Sequence, residues 1–230
     1  MDKFYVHQDA NFGLGNFINI TPAIRAIAEK TDKPVPVYFD LKHVEQCFID
    51  CEFIEILKEQ PFHAAPFSSA VIDHKNLLPD FIYSYLVAAQ IIDLPHTIGH
   101  TYIDTAKEIP ISKQKYTLFM YGSGSEDSAY LYSKTPDESF YKEYMKGKCI
   151  FTGSTTDFER VDWFEDMETY LDNIRKSLAL IRDAELIVSN DTGLAHAAGA
   201  MNKNMIVLWK TTALPKNANP GKNTLIKMCI

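Results

Sequence analysis

Short apolar runs alternate with amphipathic helical stretches along the chain, and this alternation constrains the fold more than any other feature. Lys3–His7 and Pro34–Phe39 are short apolar segments rich in β-branched and aromatic residues, as buried strands are. Between them, Phe17–Lys30 repeats its apolar residues at helical spacing. Strands that alternate with helices form parallel sheets through right-handed crossovers. The pattern therefore predicts an α/β fold.

The second half of the chain restarts the same pattern. Its first strand-like run, Lys115–Tyr121, is closed by the glycine–serine turn Gly122–Ser125, much as the first strand of the chain is followed by a glycine-containing turn. The segment His96–Gln114 has no long periodic pattern and is predicted to link the halves. We therefore predict two Rossmann-like domains, residues 1–112 and 113–230, whose parallel sheets face a cleft.

Further helices and strands follow from the same periodicities. Apolar residues at helical spacing predict helices, and short continuous apolar runs predict strands. Glu52–Leu57 fits either a strand or the end of a helix. The other predicted helices are Lys42–Cys51, Phe81–Ile92, Phe140–Lys146, Asp166–Arg182 and Thr192–Met201, and the other predicted strands are Ala70–Asp73, Cys149–Thr152, Leu186–Val188 and Met205–Trp209.

The composition argues against several classes of protein. A chain of 230 residues can bury a large core, and a net charge of −7 argues against a dedicated nucleic-acid surface. No stretch approaches the roughly 18 continuous apolar residues of a membrane span. The N-terminal apolar run is too short and too interrupted for a signal peptide. We therefore expect a cytoplasmic protein with no membrane span and no nucleic acid among its partners.

The four cysteines predict neither a disulfide framework nor a metal site. They include no C-x-x-C pair. His43, Cys47 and Cys51 fall four residues apart on a predicted helix, which fits either a face packed against the sheet or a metal-binding stripe. Because no fourth ligand is evident, the packed face is favoured and we expect no bound metal.

The most informative local stretch is Glu185–Gly199, where an apolar strand leads through a polar turn into a helix of small residues. A helix N-terminus at the carboxyl edge of a sheet binds anions through its free backbone amides. Asp191 fits either a helix cap or part of such a site. The stretch therefore predicts a phosphate site, and its candidate residues are Asp191, Thr192, Gly193, Leu194 and His196.

Two glycine-containing turns are the other candidate ligand loops. The first has Gly13 and Gly15 in the places of a dinucleotide fingerprint, but Ile18 stands in the third place. It fits a tight strand-to-helix turn or a substrate-facing loop better than a dinucleotide site. The second turn contains Ser123 and Gly124, and it fits either a flexible turn or a loop whose amides approach a phosphate. A P-loop is excluded because the chain contains neither Gly-Lys-Ser nor Gly-Lys-Thr.

Two motifs resemble those of the heptosyltransferase family of glycosyltransferases, family nine. Gly13–Ile27 is similar to that family's Gly-x-Gly-Asp and Thr-Pro-Ala-x-Arg motif, and Ala184–Ala200 resembles its donor-phosphate motif, Asp-(Ser/Thr)-Gly-x-x-His. Cys149–Ser154 and Met205–Trp209 resemble two of its strands. The similarity covers most of the chain, which is shorter than most members.

The resemblance implies a GT-B fold, with a nucleotide-sugar donor on residues 113–230 and the acceptor on residues 1–112. It implies inverting transfer without a metal or another cofactor, in which helix N-termini and side chains stabilise the leaving diphosphate. The donor-binding residues that it implies are Ser123, Gly124, Lys134, Glu159, Asp191, Thr192, Gly193, Leu194 and His196.

The chain departs from the family at the acceptor side. Asn16 stands where the family usually carries the aspartate that deprotonates the acceptor hydroxyl, and an amide cannot act as a general base. Asp9 and His7 are nearest in sequence, and Asp9 is favoured because a carboxylate at the end of that strand would face the cleft. Gly13 and Gly15 are predicted to form the acceptor-side loop.

The predicted function is therefore the transfer of a sugar from a nucleotide sugar to a glycan or small-molecule acceptor. Two alternatives stay open at this point. Asn16 also fits a nucleotide-binding or nucleotide-sugar-binding protein that has lost catalysis. The phosphate site by itself also fits another α/β enzyme that acts on a phosphorylated small molecule.

Overall fold

Two parallel sheets form the framework of the computed structural model. It describes residues 4–10, 13–61, 65–68, 101–104, 112–122, 136–159, 163, 167–210 and 223–229. Every strand pair among these residues is parallel, as the alternation of strands and helices predicts. The chain divides into an N-terminal unit, Met1–Asp104, and a C-terminal unit, Thr105–Ile230. The division falls after Asp104, whereas the sequence predicts a boundary after residue 112.

The N-terminal unit has a four-stranded sheet with the order β3-β2-β1-β4. In this order β2 and β3 lie on one side of β1 and β4 lies on the other, so the direction of strand addition reverses at β1. The described elements are β1 (Phe4–Gln8), α1 (Leu14–Thr31), β2 (Val35–Phe39), α2 (Lys42–Glu45), β3 (Ile54–Leu57) and β4 (Ala65–Ser68).

The C-terminal unit has a six-stranded sheet with the order β10-β9-β8-β5-β6-β7. Here the direction of strand addition reverses between β5 and β8. The described elements are β5 (Thr117–Met120), α3 (Glu138–Lys142), β6 (Cys149–Gly153), α4 (Thr155–Glu159), β7 (Glu168–Leu171), α5 (Ile174–Asp183), β8 (Leu186–Ser189), α6 (Gly193–Ala200), β9 (Met205–Trp209) and β10 (Thr224–Met228).

Helix α1 continues through Pro22, although proline cannot donate the hydrogen bond that a helix interior requires. The carbonyl of Ile18, which residue 22 would normally bond, instead accepts a hydrogen bond from the Thr21 hydroxyl at 2.7 Å. The same Thr21 oxygen accepts the N–H of Tyr102 at 2.8 Å. Because the orphaned carbonyl has a partner, the helix tolerates the proline.

An aromatic cluster joins α1 to the sheet of the N-terminal unit. The ring centroid of Phe17 lies 4.9 Å from that of Phe39 on β2 and 4.8 Å from that of Phe48. All three side chains are buried. Phe39 and the residues that share its sheet face therefore point toward α1, and the alternate residues of β1 and β2 point away from it.

The segment 101–104 ties the end of the N-terminal unit to its core. The buried Asp104 accepts hydrogen bonds from the Asp50 N–H at 2.8 Å and from the Tyr102 hydroxyl at 3.0 Å. The Arg25 guanidinium of α1 lies 4.8 Å from the ring centroid of Phe53 and 5.3 Å from that of Tyr102. Together these contacts hold α1 and the turns that follow α2 in one cluster.

The predicted helix Asp166–Arg182 is wrong over its first part, which forms β7. Asp172 then adopts a left-handed backbone with φ +53°, and the Asn173 side chain caps α5 by accepting the Lys176 N–H at 3.0 Å. Tyr170 falls at helical spacing with the apolar residues of α5, but it is followed by the turn and cap residues that separate the two elements.

Other predicted elements differ less from the structure. Helix α2 is shorter than the predicted Lys42–Cys51, and Glu52–Leu57 resolves into strand β3. Strand β10 and helix α4 were not predicted. The predicted strand Ala70–Asp73 and helix Phe81–Ile92 lie outside the described residues. Within the part of the chain that the structure describes, no helix is both long enough and apolar enough to cross a bilayer.

Replacing Asp104 tests the cluster at the end of the N-terminal unit. Asp104→Ala leaves the Asp50 N–H and the Tyr102 hydroxyl without their acceptor, and we expect it to lower the free energy of unfolding by about 2–3 kcal/mol. Glu59→Ala removes an exposed carboxylate in the same unit and serves as the control, with an expected change within about 0.5 kcal/mol. Urea denaturation measures the free energy of unfolding of both variants. An equal change in the two would show that the Asp104 cluster does not stabilise the fold.

Candidate functional site

The strand order of the C-terminal unit singles out the carboxyl ends of β5 and β8. Strands β6 and β7 extend the sheet on one side of β5, and β8, β9 and β10 extend it on the other. Ligands of open α/β sheets bind outside the carboxyl ends of the strands at this reversal. We therefore expect a ligand site at the turns that follow β5 and β8.

The turn after β8 leads directly into α6, which begins at Gly193. Thr192 is the N-cap, and its hydroxyl oxygen accepts the Ala195 N–H at 3.2 Å. The N–H groups of Gly193 and Leu194 precede the first intrahelical bond, as at any helix start, and are directed out of the helix. Residues 191–194 are only partly buried, so the positive end of the helix is open to solvent.

His196 lies one turn into α6 and reaches back toward Asp191, because helical side chains tilt toward the N-terminus. Its Nε2 atom lies 3.8 Å from Asp191 Oδ1, and both side chains are largely buried. The His196 Nδ1 atom and both polar atoms of the buried Asn190 amide have no hydrogen-bond partner in the described structure. Polar atoms with unused hydrogen-bonding capacity are thus concentrated next to the start of α6.

The turn after β5 contains a glycine that the structure requires. Gly122 has φ +117°, a backbone conformation that residues with a side chain rarely adopt. A Cβ atom there would lie 2.2 Å from the carboxylate of Asp157. The turn after β5 and the start of α4 consequently approach each other closely at the carboxyl edge of the sheet.

Asp157 is a buried carboxylate that the sequence-based site did not include. Ser154 donates a hydrogen bond to Asp157 Oδ2 at 2.7 Å and accepts the Asp157 N–H at 3.0 Å. This exchange resembles a capping box at the start of α4. The signal that could have revealed it is the Ser-x-x-Asp spacing directly after the predicted strand Cys149–Thr152.

Lys210 is a second residue that the sequence-based site did not include. It directly follows β9, which pairs with β8, so it lies at the same edge of the sheet as the turn before α6. Its Nζ atom is 3.5 Å from Asp137 Oδ1, and the side chain is partly exposed. A lysine that directly follows an apolar strand is the sequence signal that points to it.

The structure brings five of the predicted donor residues together at one turn. The others lie elsewhere in the unit or outside the described residues. Asp191, Thr192, Gly193, Leu194 and His196 share the turn and first part of α6. Glu159 is the exposed last residue of α4, and Asp157 is the acidic side chain of that helix that faces the Gly122 turn. The predicted site residues Ser123, Gly124 and Lys134 lie outside the described residues.

In the N-terminal unit, the predicted catalytic residues lie near the carboxyl end of β1. Asp9 directly follows that strand, and Asn16 lies in the first turn of α1; both are partly buried. His7 Nε2 lies 3.0 Å from Oδ2 of Asp40, which directly follows β2. The same carboxylate oxygen accepts the Ala10 N–H at 3.0 Å.

The described structure does not require a glycine at the first glycine turn. Gly13 has φ −72° and ψ −170°, an extended conformation open to any residue, and no atom would lie within 4 Å of an added Cβ. Neither backbone geometry nor crowding among the described residues therefore requires a glycine. A substrate-facing loop stays a prediction. Gly15 is buried within α1.

The cysteines near α2 belong to a packed face. Cys47 and Cys51 are buried, whereas His43 is exposed. Burial raises the pKa of the Cys51 thiol to about 12, which keeps it protonated at neutral pH. Among the described residues, no group of three or more histidine, cysteine, aspartate or glutamate side chains could hold a metal ion.

Comparison with known families bears on the turn before α6. Residues 172–228 match the family model described as glycosyltransferase family 9 (heptosyltransferase). The matched segment extends from the end of β7 to β10 and includes the whole α6 turn. This segment of the chain is therefore similar to glycosyltransferase family 9. No curated protein sequence matches it significantly.

Solved structures share the fold at low identity. A family 9 glycosyl transferase from Veillonella parvula has a TM-score of 0.73 and 14% identity over 98% of this chain and 86% of that chain. The E. coli heptosyltransferase WaaC with ADP-2-deoxy-2-fluoro heptose has a TM-score of 0.67 and 11% identity, over 97% and 92%. The E. coli ADP-heptose LPS heptosyltransferase II has a TM-score of 0.67 and 13% identity, over 98% and 90%.

These likenesses show that the chain has the fold of GT-B glycosyltransferases, as the sequence predicts. The match over residues 172–228 adds a sequence similarity to family 9 within the C-terminal unit.

Replacing Gly122 tests the close approach at the edge of the sheet. In Gly122→Ala the new methyl group collides with Asp157, so we expect a lower melting temperature than for Gly147→Ala, where φ is +71° but no atom lies within 4 Å of an added Cβ. Both variants carry the backbone strain of a positive φ, on the order of 1–3 kcal/mol. The difference between their melting temperatures reports the collision together with the larger backbone strain at φ +117°.

The double variant Gly122→Ala, Asp157→Ala completes this test. Removing the carboxylate makes room for the methyl group, and we expect the double variant to be more stable than the sum of the two single changes. Strict additivity of the three unfolding free energies would contradict the contact.

Proposed function

We propose that the chain transfers a sugar from a nucleoside-diphosphate sugar to an acceptor hydroxyl, with inversion at the anomeric carbon and without a metal. The observation that carries this proposal is the solvent-open start of α6 at the reversal of strand order, within the residues that match family 9. A helix start at that position binds the diphosphate of a donor through fixed backbone N–H groups.

The diphosphate is held by the turn Asp191–Leu194. The N–H groups of Gly193 and Leu194 donate to phosphate oxygens, and the helix dipole favours the charge that develops as the diphosphate leaves. Thr192 adds a hydroxyl donor, and the partnerless Nδ1 of the His196 ring is a further polar contact. Lys210 at the end of the neighbouring strand adds a positive charge. These groups do the work that a divalent cation does elsewhere.

The nucleoside of the donor lies at the carboxyl ends of β5 and β6, across the reversal of strand order from the turn after β8. An acidic residue after the second strand of a Rossmann-like sheet accepts hydrogen bonds from ribose hydroxyls. Asp157 occupies such a position and is the carboxylate of α4 that faces the Gly122 turn. The sequence-based candidate Glu159 is exposed at the far end of the same helix. Ser123, Gly124 and Lys134 stay candidates for the loop after β5.

The names of two solved structures suggest the donor to test first. The E. coli WaaC structure contains ADP-2-deoxy-2-fluoro heptose, and the second E. coli enzyme is named as an ADP-heptose transferase. We therefore propose an ADP-linked sugar as donor. The acceptor, a glycan or small molecule, is bound by the N-terminal unit at the loop of Gly13 and Gly15, where the space beside Gly13 is open.

The reaction needs a base in the N-terminal unit. As the acceptor oxygen attacks the anomeric carbon, its proton moves to the base and the bond to the diphosphate breaks, with the electron pair leaving on the diphosphate. Asn16 cannot accept that proton. The base predicted from the sequence is Asp9, which directly follows β1.

Nucleotide binding tests the donor site. We expect ADP and an ADP-sugar to bind the purified protein, and we expect Asp191→Ala to weaken binding about tenfold, or about 1.4 kcal/mol, because it disturbs the turn before α6 and the contact with His196. Isothermal titration calorimetry measures both. Glu185→Ala, an exposed carboxylate directly before the other end of β8, is the matched control and leaves affinity unchanged. Unchanged affinity in Asp191→Ala would contradict the donor site.

Turnover in the presence of a chelator tests the metal-independent mechanism. We expect the protein to release ADP from ADP-heptose at the same rate with and without EDTA, because backbone amides and side chains stabilise the leaving group. The assay also includes ADP-glucose, UDP-glucose and GDP-mannose. A loss of turnover in EDTA that Mg²⁺ restores would contradict the mechanism. Tight binding with no turnover of any donor would instead favour the binding protein without catalysis, for which Asn16 argues.

A further inference from the structure

A histidine and an aspartate meet at the carboxyl end of the first strand of the N-terminal unit. His7 Nε2 lies 3.0 Å from Asp40 Oδ2, with 17% and 28% of the two side chains exposed. The contact has the distance of a hydrogen bond but not its angle, since Nε2 has no aligned partner. Such bonds are often poorly aligned before substrate binds and tighten in the complex.

The fold holds both members of this pair in place. His7 is the penultimate residue of β1, and Asp40 directly follows β2, which pairs with β1 in parallel. Asp40 Oδ2 also accepts the Ala10 N–H at 3.0 Å, so the carboxylate is fixed against the loop that leads to α1. The two residues therefore belong to neighbouring strand ends at one edge of the sheet.

His7 lies at the reversal of strand order in its sheet, as the turn before α6 does in the sheet of the other unit. His7 pairs with Ser68 of β4 on one side of β1 and with Tyr38 of β2 on the other. It thus lies where the direction of strand addition reverses, which is where open α/β sheets bind ligands. Its side chain is on the face opposite Phe39 and α1.

We propose that His7, positioned by Asp40, is the general base that deprotonates the acceptor. This inference rests on the proposed transfer reaction and on the N-terminal unit binding the acceptor. When the contact tightens on substrate binding, Asp40 accepts the Nε2 proton and leaves Nδ1 unprotonated, which is the tautomer that a base requires. The pair is a His–Asp arrangement of the kind that activates hydroxyl groups in other enzymes.

The acceptor O–H transfers its proton to Nδ1 of His7 while the acceptor oxygen forms a bond to the anomeric carbon. The bond from that carbon to the diphosphate oxygen breaks, and the electron pair leaves with the nucleoside diphosphate. The positive charge that forms on the imidazole is offset by the Asp40 carboxylate. The proton then passes to water, and the pair returns to its starting state.

Three substitutions separate His7 from the sequence-based candidate. His7→Gln removes the base, and we expect it to lower kcat for the donor that the wild type turns over by about 100-fold or more, with unchanged ADP affinity. His43→Gln, the same change at an exposed histidine of the same unit, leaves kcat unchanged. Asp9→Asn is measured in the same assay, because Asp9 is the base predicted from the sequence, and we expect a smaller loss of kcat than in His7→Gln. Full activity in His7→Gln, or a larger loss of kcat in Asp9→Asn, would overturn the proposal.

Asp40→Asn tests the positioning role through kcat. Asparagine can still accept the Ala10 N–H, so the loop contact survives while the charge is lost. We expect a lower kcat with an unchanged melting temperature, because the imidazolium that forms in the step loses the carboxylate that offsets its charge. A purely structural Asp40 would lower the melting temperature and leave the kcat of the folded protein unchanged.

Nuclear magnetic resonance gives a readout that does not depend on activity. In ¹⁵N-labelled protein we expect the neutral His7 ring to carry its proton on Nε2, and we expect Asp40→Asn to increase the population of the tautomer with the proton on Nδ1. A proton on Nδ1 in the wild type, or a tautomer population that the variant does not change, would overturn the pair. The melting temperature of each variant shows that it is folded.

The outcomes also separate this inference from the proposed function. A wild type that binds or cleaves none of the nucleotide sugars overturns the transferase and the base together. A wild type that cleaves a donor while His7→Gln cleaves it equally well overturns only the role of His7. Loss of turnover in His7→Gln with donor affinity retained supports both.

Discussion

Parallel strand pairing is the constraint on which the rest of the structure depends. Because all strands of a parallel sheet end at the same edge, the turns that follow them are brought together there whatever their separation in sequence. In both units the first strand lies inside the sheet: β1 between β2 and β4, and β5 between β6 and β8. The Gly122 turn, the turn before α6 and the His7–Asp40 pair all lie at the sheet edges where the strand order reverses.

Small residues let the edge of the C-terminal unit carry its site. Glycine at 122 allows the turn after β5 to lie against Asp157, which a side chain would prevent. Within α6, Ala197, Ala198 and Gly199 are buried, so the helix packs closely and its N-terminus stays at the edge of the sheet. The turn before it, residues 191–194, stays partly open to solvent.

The sequence predicts the fold and the α6 turn well because both depend on local patterns. The strand from Leu186, the turn and the start of α6 are contiguous, so spacing alone reveals them. The helix predicted over Asp166–Arg182 failed because Tyr170 lies at helical spacing but belongs to β7, where pairing with β6 outweighs local propensity. The contacts of Asp157 with the Gly122 turn and of His7 with Asp40 were not predicted, because each joins residues that follow different strands and lie far apart in the sequence.

By itself the sequence determined the α/β class, the parallel strands and the helix start after the strand from Leu186, since each follows from periodicity or from contiguous residues. Only the tertiary structure decided that Asp157 of α4 lies against the Gly122 turn and that Gly13 is not required by its turn. It also decided that His7 meets Asp40. These relations depend on strand order and register, which local patterns of hydrophobic residues do not specify.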